Sequence, residues 1–290
     1  MVSVNNIGLN SAVLASLRQT NADLATSQNR IASGLKVASA RDNAGVWATA
    51  TSIRKDIAAQ DGMGANIAIS KGQADAAYAA LTTIADIITK MQTTAGKLVA
   101  GANANNVEVQ KDISSYQKQM LAAVANAGFQ GVNLLAATDA STITTAIGQD
   151  NGTPVNMTFS TTQILNVGNT SGTLVGSAYA SVSKNTAFDG TSTNDTQAHI
   201  DDFTGALSSG LAAVNTYAAR VAAYSDSLSK QQDFITKIND IRTTALSSLV
   251  DANMEEESAK VQSLQVKQQL AYQALSIGNG AAQNILRLFQ

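Results

Sequence analysis

Proline occurs once in this 290-residue chain, at position 154. The residue that most reliably ends a helix is therefore missing from everything on either side of the middle. On both sides apolar residues recur at heptad spacing. In the first flank Ile7, Leu14, Leu17, Leu24, Ile31 and Leu35 follow steps of seven and of three or four, the a/d pattern of a coiled-coil seam. Asn10, Asn21 and Gln28 interrupt that stripe at core-type positions, so the seam reads as half polar. Polar core positions weaken packing but fix register. After a break over 39–43 the pattern restarts through Ile53, Ile57, Ile67, Ala74, Tyr78, Leu81, Ile84 and Ile88, which predicts a second, longer helix. A third is expected over 105–127, through Val109, Ile113, Tyr116, Met120 and Val124, with glycine chemistry at Gly128-Phe-Gln-Gly131 ending it.

The second flank mirrors the first. Leu207, Val214, Val221, Leu228 and Ile235 sit seven apart, with Leu211 and Ala218 between them. Asp201 and Asp202 are placed to favour the start of that helix electrostatically. Beyond Asp251 a last stripe runs through Met254, Val261, Leu264, Leu275, Ala282, Ile285, Leu286 and Phe289, with Gln268 at a core-type position. Ordering chain ends costs entropy. Matching amphipathic stripes at both ends are therefore expected to be an interface.

The middle differs. About a third of residues 138–195 are Ser or Thr. Val155–Ser160 and Thr173–Tyr179 look like short strands, and the Asn-Gly step within Gln149–Thr153 is a hairpin signal. The expected fold is mainly α, a long antiparallel helical bundle or coiled coil formed by the N- and C-terminal segments, with a small central β-containing insert. The expected domains are a terminal coiled coil of 1–40 with 251–290, a helical bundle of 41–137 with 199–250, and a variable surface-exposed insert of 138–198.

Composition narrows the function classes. Charged residues make up 14% and aromatics 4% of the chain, against about 25% charged in an ordinary soluble protein. Small aliphatic side chains and few charges suit helices that pack closely, and a surface covered by copies of itself. A net charge of −2 without any Lys/Arg run argues against a nucleic-acid partner. Met1–Asn10 has neither a basic nor an apolar signal-peptide region, and no stretch approaches 18 apolar residues, so neither Sec export nor membrane insertion is expected. There is no Cys.

Chemistry is sparse. The single His, at 199, reads as a solvated side chain. No HExxH, phosphate-binding loop or Cys/His metal spacing occurs. Gly62-Met-Gly64 lacks the third glycine of a dinucleotide fingerprint. Glu255–Glu257 and Asp201–Asp202 read as solvated faces or helix starts, because consecutive acids on a helix do not converge on one substrate. The expectation is a protein that is not an enzyme and needs no cofactor.

At the ends the sequence resembles a known family. Arg30-Ile-Ala-Ser33-Gly34-Leu35-Lys, followed by Ala38-Ser-Ala40-Arg41-Asp42-Asn43-Ala44-Gly45, is similar to the N-terminal signature of bacterial flagellin. Ala281-Ala-Gln283-Asn284-Ile285-Leu286-Arg-Leu-Phe289 resembles the family's ending. The resemblance covers about 1–135 and 200–290. It implies a homopolymer, the flagellar filament of swimming motility, in which the outermost helices of both termini pair to line a channel. The next helices would form the surrounding tube, and the middle would face outward. It also implies secretion through the flagellar export apparatus with an export chaperone, and contact with filament cap and hook-junction proteins. In many flagellins the stretch matching Met91–Leu98 carries Arg, Glu and Leu that a vertebrate innate immune receptor recognises. Thr93, Gly96 and Lys97 stand in those places, which implies weak recognition.

The assembly-interface residues expected from stripes and resemblance together are Ile7, Leu14, Leu17, Leu24, Ile31, Leu35, Val261, Leu264, Leu275, Ile285, Leu286 and Phe289. Burying them would drive assembly, offset by the ordering of terminal helices expected to be disordered in the monomer. The alternatives are a hook–filament junction protein with the same terminal helices and a chemoreceptor-type signalling hairpin. The insert and the missing tether count against the second. Asn156-Met-Thr158, Asn169-Thr-Ser171 and Asn194-Asp-Thr196 match a glycosylation triplet, as Asn/Thr-rich segments do by chance.

Overall fold

The computed structural model describes residues 2–100, 103–135, 142–150, 153–161, 165–166, 173–174 and 197–288. Its helices are α1 (Val2–Ser33), α2 (Ala44–Ala95), α3 (Asn103–Asn126), α4 (Gln197–Val250) and α5 (Met254–Leu288). Between α3 and α4 lie strands β1 (Thr142–Asp150), β2 (Thr153–Ser160), β3 (Leu165–Asn166) and β4 (Thr173–Leu174). The mainly helical fold with a small β insert is as expected. Of the expected strand at Thr173–Tyr179, residues 173–174 form β4 and the rest lies outside the described residues.

The chain divides into two compact units, Met1–Ala58 with Asn239–Gln290, and Ala59–Ile238. In the second unit the heptad stripe of α4 is the spine of the core. Leu207, Val214, Val221, Leu228 and Ile235 are all buried there, with Leu211 and Ala218 packed on the same cluster. From α2 come Ile67, Leu81, Ile84, Ile88 and Met91, and from α3 Val109, Ile113, Met120 and Val124. α2 and α4 run antiparallel: Ser225 donates to Asp75 Oδ1 at 2.7 Å, and Gln92 donates to Ser208 at 3.3 Å near the other end.

Three local expectations differ from the structure. Tyr78, expected in the α2 stripe, is 43% exposed; the inward face is filled by Ala74, Ala77 and Leu81 beside it. Asp201 and Asp202 stand in the second turn of α4, because the helix already begins at Gln197. The influence of the helix N-terminus fades within the first turn. At the other end of the insert, α3 stops at Asn126 and the glycine that matters is Gly131. Phe129 and Val132 exchange two backbone hydrogen bonds around Gln130 (φ 52°) and Gly131 (φ 77°), the two-residue turn that needs positive φ at both central positions. Asn133 then donates to the Val124 carbonyl at 2.6 Å, satisfying an open acceptor in the last turn of α3.

β1 and β2 pair antiparallel from Thr142↔Ser160 to Asp150↔Thr153, the hairpin that the Asn-Gly step predicts. This hairpin belongs to the core of its unit. Phe159 is buried and stacks on Tyr224 with ring centroids 4.7 Å apart. The Thr145 hydroxyl is buried between Ser70 Oγ (2.7 Å) and the Tyr224 hydroxyl (2.9 Å). A register shift between Ala146 and Gly148 frees the Ile147 carbonyl from the ladder, and Gln231 donates to it at 2.6 Å.

Candidate assembly interface

The first unit is organised around a joint between the two ends of the chain. α1 ends at Ser33, and Gly34 follows at φ +70°, the left-handed position at which glycine costs least. The Gly34 carbonyl accepts from the Ala252 amide at 2.9 Å. The Val250 carbonyl accepts from Lys36 (2.6 Å) and Val37 (3.3 Å), and Leu35 bridges antiparallel to Asp251. Val37 and Val250 are both buried at this crossing.

Most of the motif from Arg30 to Gly45 now has a physical role. The Ser33 hydroxyl accepts from the Leu35 amide at 3.2 Å. Asp42 Oδ2 accepts from the Ala38 and Ser39 amides and the Ser39 hydroxyl, holding the turn that separates α1 from α2. The Ser39 amide and hydroxyl, with lesser help from the Ala38 amide and Arg30, outweigh desolvation and keep the Asp42 carboxyl below its ordinary value. Asn43 caps α2, its side chain accepting from Val46 N at 3.1 Å and its carbonyl from Trp47 N at 2.9 Å. Ala44 and Gly45 are the first helical residues, and Ala40 and Arg41 lie exposed in the turn. Trp47 is half-buried, with the Arg54 guanidinium 5.6 Å from its ring centre.

On the C-terminal side Asn253 caps α5, accepting from Glu255 N (3.1 Å) and Glu256 N (3.4 Å). Glu255, Glu256 and Glu257 fill the first turn, where the helix dipole favours them. Glu257 does more than the sequence suggests: it is buried and accepts from Arg30 Nη1 at 3.0 Å, across 227 positions of sequence. Burial pushes its carboxyl up, but Ser27, Arg30 and Lys260 outweigh that and hold it below its ordinary value. The Ser27 hydroxyl and Glu257 Oε2 are both buried without a hydrogen bond of good geometry, so the hydroxyl's help comes from proximity.

From this joint α1 and α5 run side by side and antiparallel. A second polar contact marks the register: Gln268 Nε2 donates to Asn21 Oδ1 at 2.8 Å. The α1 seam follows Leu17, Thr20, Leu24, Ser27 and Ile31, buried or half-buried. Its polar members are thus Thr20 and Ser27, one residue before the expected Asn21 and Gln28, which are exposed. Thr20 satisfies its hydroxyl on the Ser16 carbonyl at 2.8 Å, which is how a polar side chain sits in the seam at little cost. Leu14 is 40% exposed at the border of this seam. On α5 Leu264 is buried, Val261 and Leu275 are half-buried, and Leu35 is half-buried at the joint. Ile7, Gln283, Asn284, Ile285 and Leu286 lie on described helical backbone, their side chains outside the described residues; Phe289 lies outside them altogether.

No helix among the described residues is long and apolar enough to cross a membrane, and no cluster of metal-ligating side chains occurs among them. Glu257, Asn253 and Ser27 escaped the sequence reading. A pattern search sees an acidic triplet, a lone Asn and a lone Ser, and only the opposing helix tells what they do.

Known proteins share this architecture. Residues 4–140 match the bacterial flagellin N-terminal helical region, and residues 204–289 match the C-terminal helical region. Flagellin FljK of Caulobacter vibrioides is 31% identical over 100% of both chains. Flagellin C of Rhizobium meliloti is 28% identical over 96% of each chain. The flagellin of Brucella melitensis is 30% identical over 96% of this chain and 95% of its own. A solved structure described as a flagellar hook-associated protein from Vibrio parahaemolyticus superposes with a TM-score of 0.59. It is 12% identical, covers 72% of this chain and 100% of its own, and so shares the fold alone. Helical termini joined through the Arg30–Gly45 motif, and full-length likeness to these proteins, place the chain in the bacterial flagellin family, the structural subunits of the extracellular flagellar filament.

Proposed function

We propose that this flagellin assembles through its α1/α5 pair, with 1–40 and 251–290 forming the inner core of the filament. Residues 41–137 with 199–250 form the surrounding tube, and 138–198 face outward. The observation that carries the reading is the joint itself: the N-terminal motif is bonded to the start of the C-terminal helix by backbone and by Arg30–Glu257. A chain whose two ends are fastened to each other presents them as one rigid helical pair, which is what a repeating contact requires.

The protein works by assembly and catalyses no reaction. The three carboxylates held below their ordinary values, Asp42, Asp75 and Glu257, are each engaged in structural bonds, Asp75 with Lys71 and Ser225. Export through the flagellar apparatus with a chaperone, and contact with cap and hook-junction proteins, follow from membership of the family. The innate immune receptor binds this chain weakly. Thr93, Gly96 and Lys97 are exposed around the end of α2, whereas Met91, Ala95 and Leu98 are buried, so the charge and apolar contact of strongly recognised flagellins are both missing from the accessible face. A receptor reporter assay with purified monomer should give low potency; full potency would refute this.

Deleting 281–290, with Ile285, Leu286 and Phe289, should abolish seeded polymerisation while the unit Ala59–Ile238 keeps its helical circular dichroism and cooperative unfolding. Normal filaments from that truncation, seen by electron microscopy, would sink the assignment of the terminal pair.

A further inference from the structure

Helix α5 carries two heptad seams, and the protomer occupies one of them. The first, Glu257, Val261, Leu264, Gln268, Ala271 and Leu275, is buried or half-buried. The second is Ala259, Ser263, Val266, Leu270, Gln273 and Ile277, in alternating steps of four and three, and every member is exposed. An offset of two residues, at about 100° each, puts the seams on opposite sides of the helix.

The second seam does not look like a water-facing surface. Val266 is 55% exposed, Leu270 58% and Ile277 73%. A solvated helix face ordinarily carries charge, yet no residue of this strip is charged; Lys260 and Lys267 stand along one border. The strip is roughly 27 Å long at 1.5 Å per residue. Contiguous apolar surface of this kind marks a contact site.

We propose that the second α5 seam is a copy-to-copy contact of the filament, seating a helix from the terminal pair of a neighbouring subunit. This rests on the filament reading and says which residues carry it. Alternating steps of four and three present knobs and holes matched to another helix. The inward residues Leu17 and Leu264 are already covered within the protomer and have little surface left for a neighbour. A strip without charge lets identical copies meet without repulsion. Leu14 of α1, 40% exposed beside its own seam, adds apolar surface on the other helix of the same pair.

The test is seeded polymerisation of the full chain, with the critical concentration measured by sedimentation. The double variant Leu270→Ser/Ile277→Ser should raise it by roughly tenfold or more, and Gln265→Ser, on exposed surface between the seams, should leave it unchanged. A wild-type critical concentration for the double variant overturns the seam while leaving the filament reading intact. Failure of wild-type protein to elongate from seeds overturns the filament reading, and the seam with it. A second measurement separates a lost contact from a lost fold. The chain has no cysteine, so a nitroxide on Leu270→Cys, added as a minor fraction to wild-type protein, reports that position alone. It should become immobilised on incorporation into filaments; a label that stays mobile there overturns the proposal.

Discussion

The two compact units are held by different means. In Ala59–Ile238, large aliphatic side chains from three helices and a hairpin interlock, with Ile67, Leu81, Ile84, Ile88 and Leu207 completely buried. In the unit of 1–58 with 239–290, the buried side chains include Thr20, Ser27 and Glu257 beside Leu17 and Leu264, and the crossing is made of backbone hydrogen bonds. The first kind of interior stabilises in proportion to the apolar area removed from water. The second removes little such area and specifies geometry instead. A unit that folds by itself and a unit completed by its neighbours should differ in this way.

The largest expected effect tests that contrast directly. Leu228→Ala removes a completely buried side chain from the α4 spine and should cost about 2–5 kcal/mol in denaturant unfolding of the monomer. Leu264→Ala, in the seam of the other unit, should leave that unfolding midpoint nearly unchanged and instead raise the critical concentration for polymerisation. Equal losses of monomer stability from the two substitutions would erase the distinction between the units.

How much of this was legible in the sequence follows the same division. The α4 spine could be read directly because large aliphatics mark every seventh position, and the hairpin because Asn-Gly has few other uses. The α1 seam was read one residue out of phase at its polar positions. Thr20 and Ser27 leave no trace in a hydrophobic pattern, while Asn21 and Gln28 happen to extend the spacing set by Ile7 and Leu14. Arg30–Glu257 was invisible because a charge pair spanning the chain has no local signature. The hairpin was expected to be surface-exposed, yet Phe159 and Thr145 face the core; a Ser/Thr-rich composition does not reveal which single aromatic turns inward.

A smaller effect tests the joint through pH. The Glu257 carboxyl lies below its ordinary value of 4.5 when folded. The stabilisation it provides is therefore complete above pH 4.5 and is lost as pH falls through the lowered folded value. Arg30→Ala should weaken the joint by about 1–2 kcal/mol near neutral pH, since the pair is largely but not wholly shielded from water. Glu257→Gln should remove part of the acid sensitivity of assembled protein. The emission of Trp47, the only tryptophan of the chain and part of the same unit, can follow the transition. An acid midpoint identical in wild type and Glu257→Gln would show that this carboxylate is not the group that titrates.

The smallest expected effect isolates the cap of α5 from the ion pair beside it. In Asn253→Ala the Glu255 and Glu256 amides lose their side-chain acceptor, whereas the main-chain bond from Glu257 N to the residue 253 carbonyl remains. Loss of such a cap costs about 1 kcal/mol. Three glutamates in the first turn still favour the helix start, so the helix should fray at its first turn and not unwind. Amide hydrogen exchange in assembled filaments should quicken at residues 255 and 256 by roughly the fivefold that this energy allows, with no change in the core of Ala59–Ile238. Asn253→Asp keeps the acceptor but places a fourth negative charge beside the glutamates, so it should restore protection only in part. Full protection in the alanine variant would mean that packing around the joint, and not the cap, fixes where α5 begins.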